Sequence, residues 1–114
     1  MSKRDWKLLF EDILEAIEKI EEYTEGLGEF KDFFGSTMIT DAVVRNIEII
    51  GEASKNVPSE IQERCPDIPW RKLAGIRNRI VHDYFGVDLH IIWFIVKNEL
   101  SKLKNQISSE LLKE

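Results

Sequence analysis

The sequence predicts an all-α fold, an up-and-down helical bundle of four to five helices forming one domain over residues 1–114. Three observations predict it. Apolar residues recur three and four places apart along every long segment, the period of one helix face. No stretch alternates apolar and polar residues long enough to make a strand. Glycine and proline interrupt the chain at short intervals, and short connections favour antiparallel helical neighbours.

The first helix covers residues 5–25, where Trp6, Leu9, Ile13, Ile17 and Ile20 share a face and acidic residues fill the other. Glu25-Gly26-Leu27-Gly28 ends it, because glycine accepts the left-handed conformation on which helices often finish. One helical turn follows from Glu29 to Phe34, closed by Gly35. Ser36, Thr37 and Thr40 are candidate caps for a helix from about Asp41 to Asn56, which Pro58 terminates. A short turn of helix spans Ser59 to Arg64. Pro69 suits the first turn of the next helix, expected to reach about Tyr84. Gly86 breaks it, and Asp88 can cap a final helix running to about Ser108. That last helix carries Leu89, Ile92, Val96, Leu100, Leu103 and Ile107 on one stripe, with Ile91, Trp93, Phe94 and Ile95 also in its first half. Apolar nearly all round, this half is more than one small bundle can bury, which points to a homodimer interface or a partner subunit.

Of 114 residues 43% are apolar and 32% charged, ordinary for a helical protein with one core. The run from Leu89 to Val96 is too short to cross a bilayer, and the start Met1-Ser2-Lys3-Arg4-Asp5-Trp6 leads into no apolar signal segment. Cys65 is the single cysteine, so neither an internal disulfide nor a cysteine-based metal site is expected. The expected compartment is the cytoplasm, with no membrane association. A net charge of −5 argues against a protein that coats nucleic acid over its whole surface. Yet five cations (Arg64, Arg71, Lys72, Arg77, Arg79) stand against one carboxylate, Asp67, between Arg64 and His82. Such a run is either a solvated helix face or a small basic site for a short stretch of RNA.

The segment Arg77-Asn78-Arg79-Ile80-Val81-His82-Asp83-Tyr84 concentrates the chemistry. Histidine titrates near neutrality and can take or give a proton. Arginine is always charged and offers a planar fork of donors that matches phosphate oxygens. Together they suffice for metal-free chemistry on a phosphodiester. On a helix, Leu73, Ile76 and Ile80 face the core, while Asn78 and His82 stack on one outward face. Arg77 and His82 lie about 140° apart around the axis, so only the long arginine stem can bring both to one phosphate. Arg77 sits at the edge of the apolar stripe, where its charge needs a partner. Asp41, Arg45, Glu48 and Glu52 align on the facing helix. They form either a solvated stripe with an Arg45–Glu48 or Arg45–Asp41 pair, or a support in which Glu48 or Glu52 holds Arg77. Gly51 in mid-helix costs about 1 kcal/mol relative to alanine, which implies close helix contact or a special backbone there. Asp83 can orient the imidazole or cap the helix end. His90 reads as a surface or interface residue. A metal site from His82, His90, Asp83 and Asp88 has suitable ligand types but no recognised spacing, so neither metal nor cofactor is expected.

Arg-x4-His followed by x-Tyr resembles the signature of HEPN domains, and of their HepT toxin branch in particular. Asp41-Ala42-Val43-Val44-Arg45-Asn46-Ile47-Glu48-Ile49-Ile50-Gly51-Glu52-Ala53 is similar to the central HepT helix, and Pro69-Trp70 and Tyr84-Phe85-Gly86-Val87-Asp88 also fit, so nearly the whole chain is covered. The resemblance implies a HEPN-like bundle and a metal-independent endoribonuclease, the toxin of a type VII toxin–antitoxin system. It implies that Arg77 stabilises charge on the phosphorane, that His82 is general acid or base, and that Asn78 positions a phosphate oxygen or His82. It implies a homodimer with the site at the subunit junction, and a minimal nucleotidyltransferase antitoxin that attaches AMP to an exposed Tyr84. On the residues alone, Tyr84 could equally be core. The rival class is a non-catalytic helical binding subunit that docks the nucleotidyltransferase. Such a subunit would not need the complete Arg77/Asn78/His82 set. A purely structural dimerisation bundle would account for the apolar final helix but leave the motif without a purpose.

Overall fold

Side-chain caps at Asp5, Ser36 and Asp88 start three of the described helices. A computed structural model describes residues 5–113; the start Met1-Ser2-Lys3-Arg4, read above for a signal segment, lies outside the described residues. Helix α1 spans Trp6–Tyr23, and Asp5 caps it by accepting from the Lys7 backbone N–H at 2.8 Å. Gly26 follows with φ +84°, the left-handed residue expected after this helix. Helix α2, Phe30–Phe34, is one turn. Helix α3, Thr37–Asn56, begins four residues before the expected start, because Ser36 serves as the cap, its hydroxyl accepting from Ile39 N at 3.3 Å. Thr37 and Thr40 are therefore inside the helix. Helix α4 spans Ser59–Arg64, as expected.

Two expectations need correction. Helix α5, Trp70–His82, stops short of Tyr84. Asp83 turns to extended backbone at φ −153°, and its carboxylate accepts from Gly86 N at 3.1 Å, so Tyr84–Gly86 winds as a separate 3-10 turn. The final helix is two helices: α6 at Leu89–Asn98 and α7 at Leu100–Leu112. The break falls at Glu99, where no glycine or proline stands. The Glu99 carboxylate is drawn onto Lys72 Nζ of α5 at 2.7 and 2.5 Å, a tertiary contact between residues far apart in sequence. Asp88 caps α6 as expected, accepting from His90 N at 2.9 Å.

The architecture is all-α, seven α-helices and one 3-10 turn among the described residues. Helix α3 is central, packing on α1 and on α5, while α7 covers α1 and α6 joins α7 to α2. The core takes Phe10, Ile13, Ile17 and Ile20 from α1, Val43, Ile47 and Ile50 from α3, Ile92 and Ile95 from α6, and Leu100, Leu103 and Ile107 from α7. Each such side chain contributes roughly 1.5–3 kcal/mol on burial. No described helix is long and apolar enough to cross a membrane.

Helix α5 is held differently. Only Ile80 is fully buried on it; Leu73 and Ile76 are half-buried. What brings α5 down onto α3 is Gly51. A Cβ at that position would collide with Arg77 Cβ and lie 2.7 Å from the Leu73 carbonyl oxygen. The bare glycine thus permits backbone contact at the residue of greatest chemical interest, the close approach its mid-helix position implied.

Candidate active site on helix α5

Arg77 lies on the flank of α5 that faces α3, one-fifth exposed. Its Nε is 2.8 Å from Glu52 Oε1, while Nη1 donates to Asn78 Oδ1 at 3.0 Å. The Nε–H does not point along the line to the carboxylate, so the Glu52 contact is an ion pair and not a directed hydrogen bond. Half-exposed Glu52 is itself steadied from its own helix, where Asn56 Nδ2 donates to Oε2 at 3.2 Å. Glu48 does not reach Arg77 and pairs with Arg45 at 3.4 Å instead. Of the two carboxylates considered from sequence, Glu52 is the one beside Arg77. Its neighbour Gly51 is what brings the two helices close enough.

His82 ends α5 and is exposed, as is Asn78 one turn earlier. Among the described residues the imidazole has no hydrogen-bond partner, leaving both ring nitrogens open to a ligand. Asp83 is occupied as the cap of the following turn and does not orient His82. Arg77 and Asn78 are thus brought into contact, a guanidinium held by Glu52 and an amide touching it, while His82 stands at the end of the same helix on its outer face without touching either.

Tyr84 is 39% exposed, not a core residue. Its hydroxyl donates to Asp41 Oδ1 at 3.1 Å across 43 positions of sequence. Partial burial, the bond to Asp41 and the nearby charges of Asp41 and Glu48 push the phenol pKa above its usual value. The ring borders a pocket of about 160 Å³ with Asp41, Val44, Phe85 and Leu89 on its walls. Sequence reasoning placed Asp41 only on the polar stripe of α3 and did not foresee this bond. Asn56 was likewise missed, although its place four residues after Glu52 could have indicated it.

His90 is exposed and stacks on Phe30, ring centroids 3.7 Å apart, so it is committed to packing α6 on α2. Asp88 is a helix cap. His82, His90, Asp83 and Asp88 are not brought together, and no group of three potential ligands is positioned for a metal ion among the described residues.

A family model described as "Ribonuclease HepT-like" matches residues 13–110. The chain is 46% identical over 104 residues to "Probable ribonuclease HepT" of Thermococcus cleftensis, covering 91% of this chain and 94% of that protein. It is 40% identical over 107 residues to "Putative RNase MJ1380" of Methanocaldococcus jannaschii, covering 94% and 97% respectively. A third similarity, 49% over 105 residues, is to "Gamma-glutamylcyclotransferase and putative RNase MJ0434" of the same organism. There the match covers 92% of this chain but 47% of the relative, so this chain spans about half of that protein's length. No solved structure matches.

Proposed function

The chain belongs to the HepT-like ribonuclease family, and from that premise we propose that it cuts RNA without a metal ion, at a cleft shared by two copies of the chain. A ribose 2′-oxygen forms a bond to the adjacent phosphorus, the bond from phosphorus to the 5′-oxygen of the next nucleotide breaks, and a cyclic phosphate remains. One imidazole takes the 2′-hydroxyl proton and a second gives a proton to the departing oxygen. Arg77 meets the charge that builds on the phosphorane, and Asn78 steadies a phosphate oxygen. Glu52 acts through Arg77, as a positioning residue that keeps the guanidinium from swinging free.

The observation that carries this reading is a stem-anchored Arg77 and, on the same helix, a His82 that has no hydrogen-bond partner among the described residues. One chain supplies one such histidine, whereas the reaction uses an acid and a base, so the two copies of His82 meet across a dimer cleft. Exposed apolar side chains near the motif support that assembly. Ile91 and Phe94 on α6 are each 56% exposed, and Val81 and Phe85 are also bare. The biological setting is that of a type VII toxin, restrained by a minimal nucleotidyltransferase that modifies Tyr84.

Assembly and activity are tested together. Light scattering at micromolar concentration is expected to give a dimer that cuts single-stranded RNA. Phe94→Asp, which places an unpaired charge in the interface, is expected to give a folded monomer without activity. A wild-type monomer that cuts RNA would exclude the shared cleft.

A further inference from the structure

The five cations between Arg64 and His82 are not equivalent once folded. Arg64 lies over the Trp6 ring, 5.2 Å from its centroid. Lys72 is bound to Glu99, and Arg77 is paired with Glu52. Arg71 and Arg79 are left exposed, and among the described residues neither has an ion-pair or hydrogen-bond partner. Their place on α5 is what gives this meaning. Arg71, Gly75, Asn78 and His82 fall within an arc of about 60° on the helix, and Arg79 flanks that arc on the α6 side. All five are exposed. From Arg71 to His82 the stripe runs about 16 Å, long enough to face several consecutive phosphates. No carboxylate stands on α5 from Trp70 to His82. Of those bordering it, Glu99 meets Lys72, Glu52 meets Arg77, and Asp83 and Asp88 accept from backbone N–H groups as caps. Midway lies Gly75, where an added Cβ would meet nothing within 4 Å, so the stripe has a low point over which a strand can pass close to the backbone.

We propose that the outer face of α5 is a strand-binding track, on which Arg79 and Arg71 hold successive phosphates of a single-stranded RNA leading away from the bond cut at His82. This rests on the ribonuclease reading and deepens it. The track makes the protein prefer a strand that continues past the scissile phosphate, and it gives an acidic chain a local surface attractive to a polyanion. The binding is to phosphate and carries no base preference of its own.

The test uses the full chain and a single-stranded RNA of twelve nucleotides with every ribose 2′-O-methylated, which cannot be cut. Its dissociation constant is measured against salt concentration for wild type, Arg71→Ala, Arg79→Ala, Arg71→Lys and Lys19→Ala. For a single strand the slope of log affinity on log salt changes by about 0.7 per phosphate contact. Each alanine variant on α5 is expected to lose about that much slope, Arg71→Lys to keep it, and Lys19→Ala on α1 to match wild type. In cleavage assays on unmodified RNA, the loss in the two alanine variants is expected in KM, not in kcat. If wild type cuts RNA while Arg71→Ala and Arg79→Ala keep its slope and KM, the track is wrong and the ribonuclease reading stands. A wild-type protein that neither binds nor cuts RNA would overturn both.

Discussion

His82→Ala is expected to lower the single-turnover rate of RNA cleavage by about 10²–10⁴-fold, the contribution typical of a general acid or base. The fold should survive, since the imidazole is exposed and makes no hydrogen bond among the described residues. Arg77→Ala is expected to reach a similar loss by another route, removing the charge that faces the phosphorane. Arg77→Lys should not restore full activity. Lysine keeps the charge but lacks the fork by which one nitrogen faces Glu52 and another reaches Asn78. Circular dichroism and thermal midpoints alongside the rates separate lost chemistry from lost structure. Rates within a few-fold of wild type in both alanine variants, with folding intact, would remove these residues from the reaction.

The second large effect is expected at Tyr84. A cognate nucleotidyltransferase supplied with ATP should add one AMP to wild-type protein and none to Tyr84→Phe, read by intact mass. The phenol oxygen bonds to the α-phosphorus of ATP, pyrophosphate leaves, and the phenol proton departs. Burial and the bond to Asp41 raise the phenol pKa and so hold that proton on the oxygen more firmly. Asp41 Oδ1 already accepts it at 3.1 Å, so Asp41→Asn should slow the transfer. The new phosphodiester would stand on the side where Tyr84 meets Asp41 of α3, the flank that also carries Arg77, which can bind it in place of RNA through charge-assisted hydrogen bonds. Modified protein should therefore lose cleavage. Equal labelling of wild type and Tyr84→Phe, or unchanged cleavage after labelling, would contradict the switch.

Local chemistry made much of this fold readable. The cap at Asp88 and the breaks at Gly26 and Pro58 act within a few residues, so sequence alone marked those boundaries, whereas three candidate caps ahead of α3 left its start open. What it could not mark depended on contacts between distant segments. At the interruption Glu99 meets Lys72 of α5, and nothing in the residues around it announces a break. The end of α5 at His82 was misjudged because Asp83 caps the turn after it, one of two roles its position allowed. The site followed the same division. The relative directions of Arg77, Asn78 and His82 were legible because one helix fixes them. The choice between Glu48 and Glu52 was not, since both lie on one stripe and only the crossing of α3 with α5 selects between them. Gly51 held the clue, a costly residue in mid-helix at the point where the helices touch. The Tyr84–Asp41 bond had no comparable mark.

The RNA's own 2′-oxygen is expected to be the nucleophile, moved to attack by groups on α5. This is tested most directly by mapping a cut site in a short RNA and replacing the single ribose 5′ of that bond with 2′-deoxyribose. Cleavage is expected to stop at that bond alone, the unmodified RNA to yield a 2′,3′-cyclic phosphate and a 5′-hydroxyl end, and chelator to change neither result. Undiminished cleavage beside the deoxyribose, or products ending in a 5′-phosphate, would contradict it.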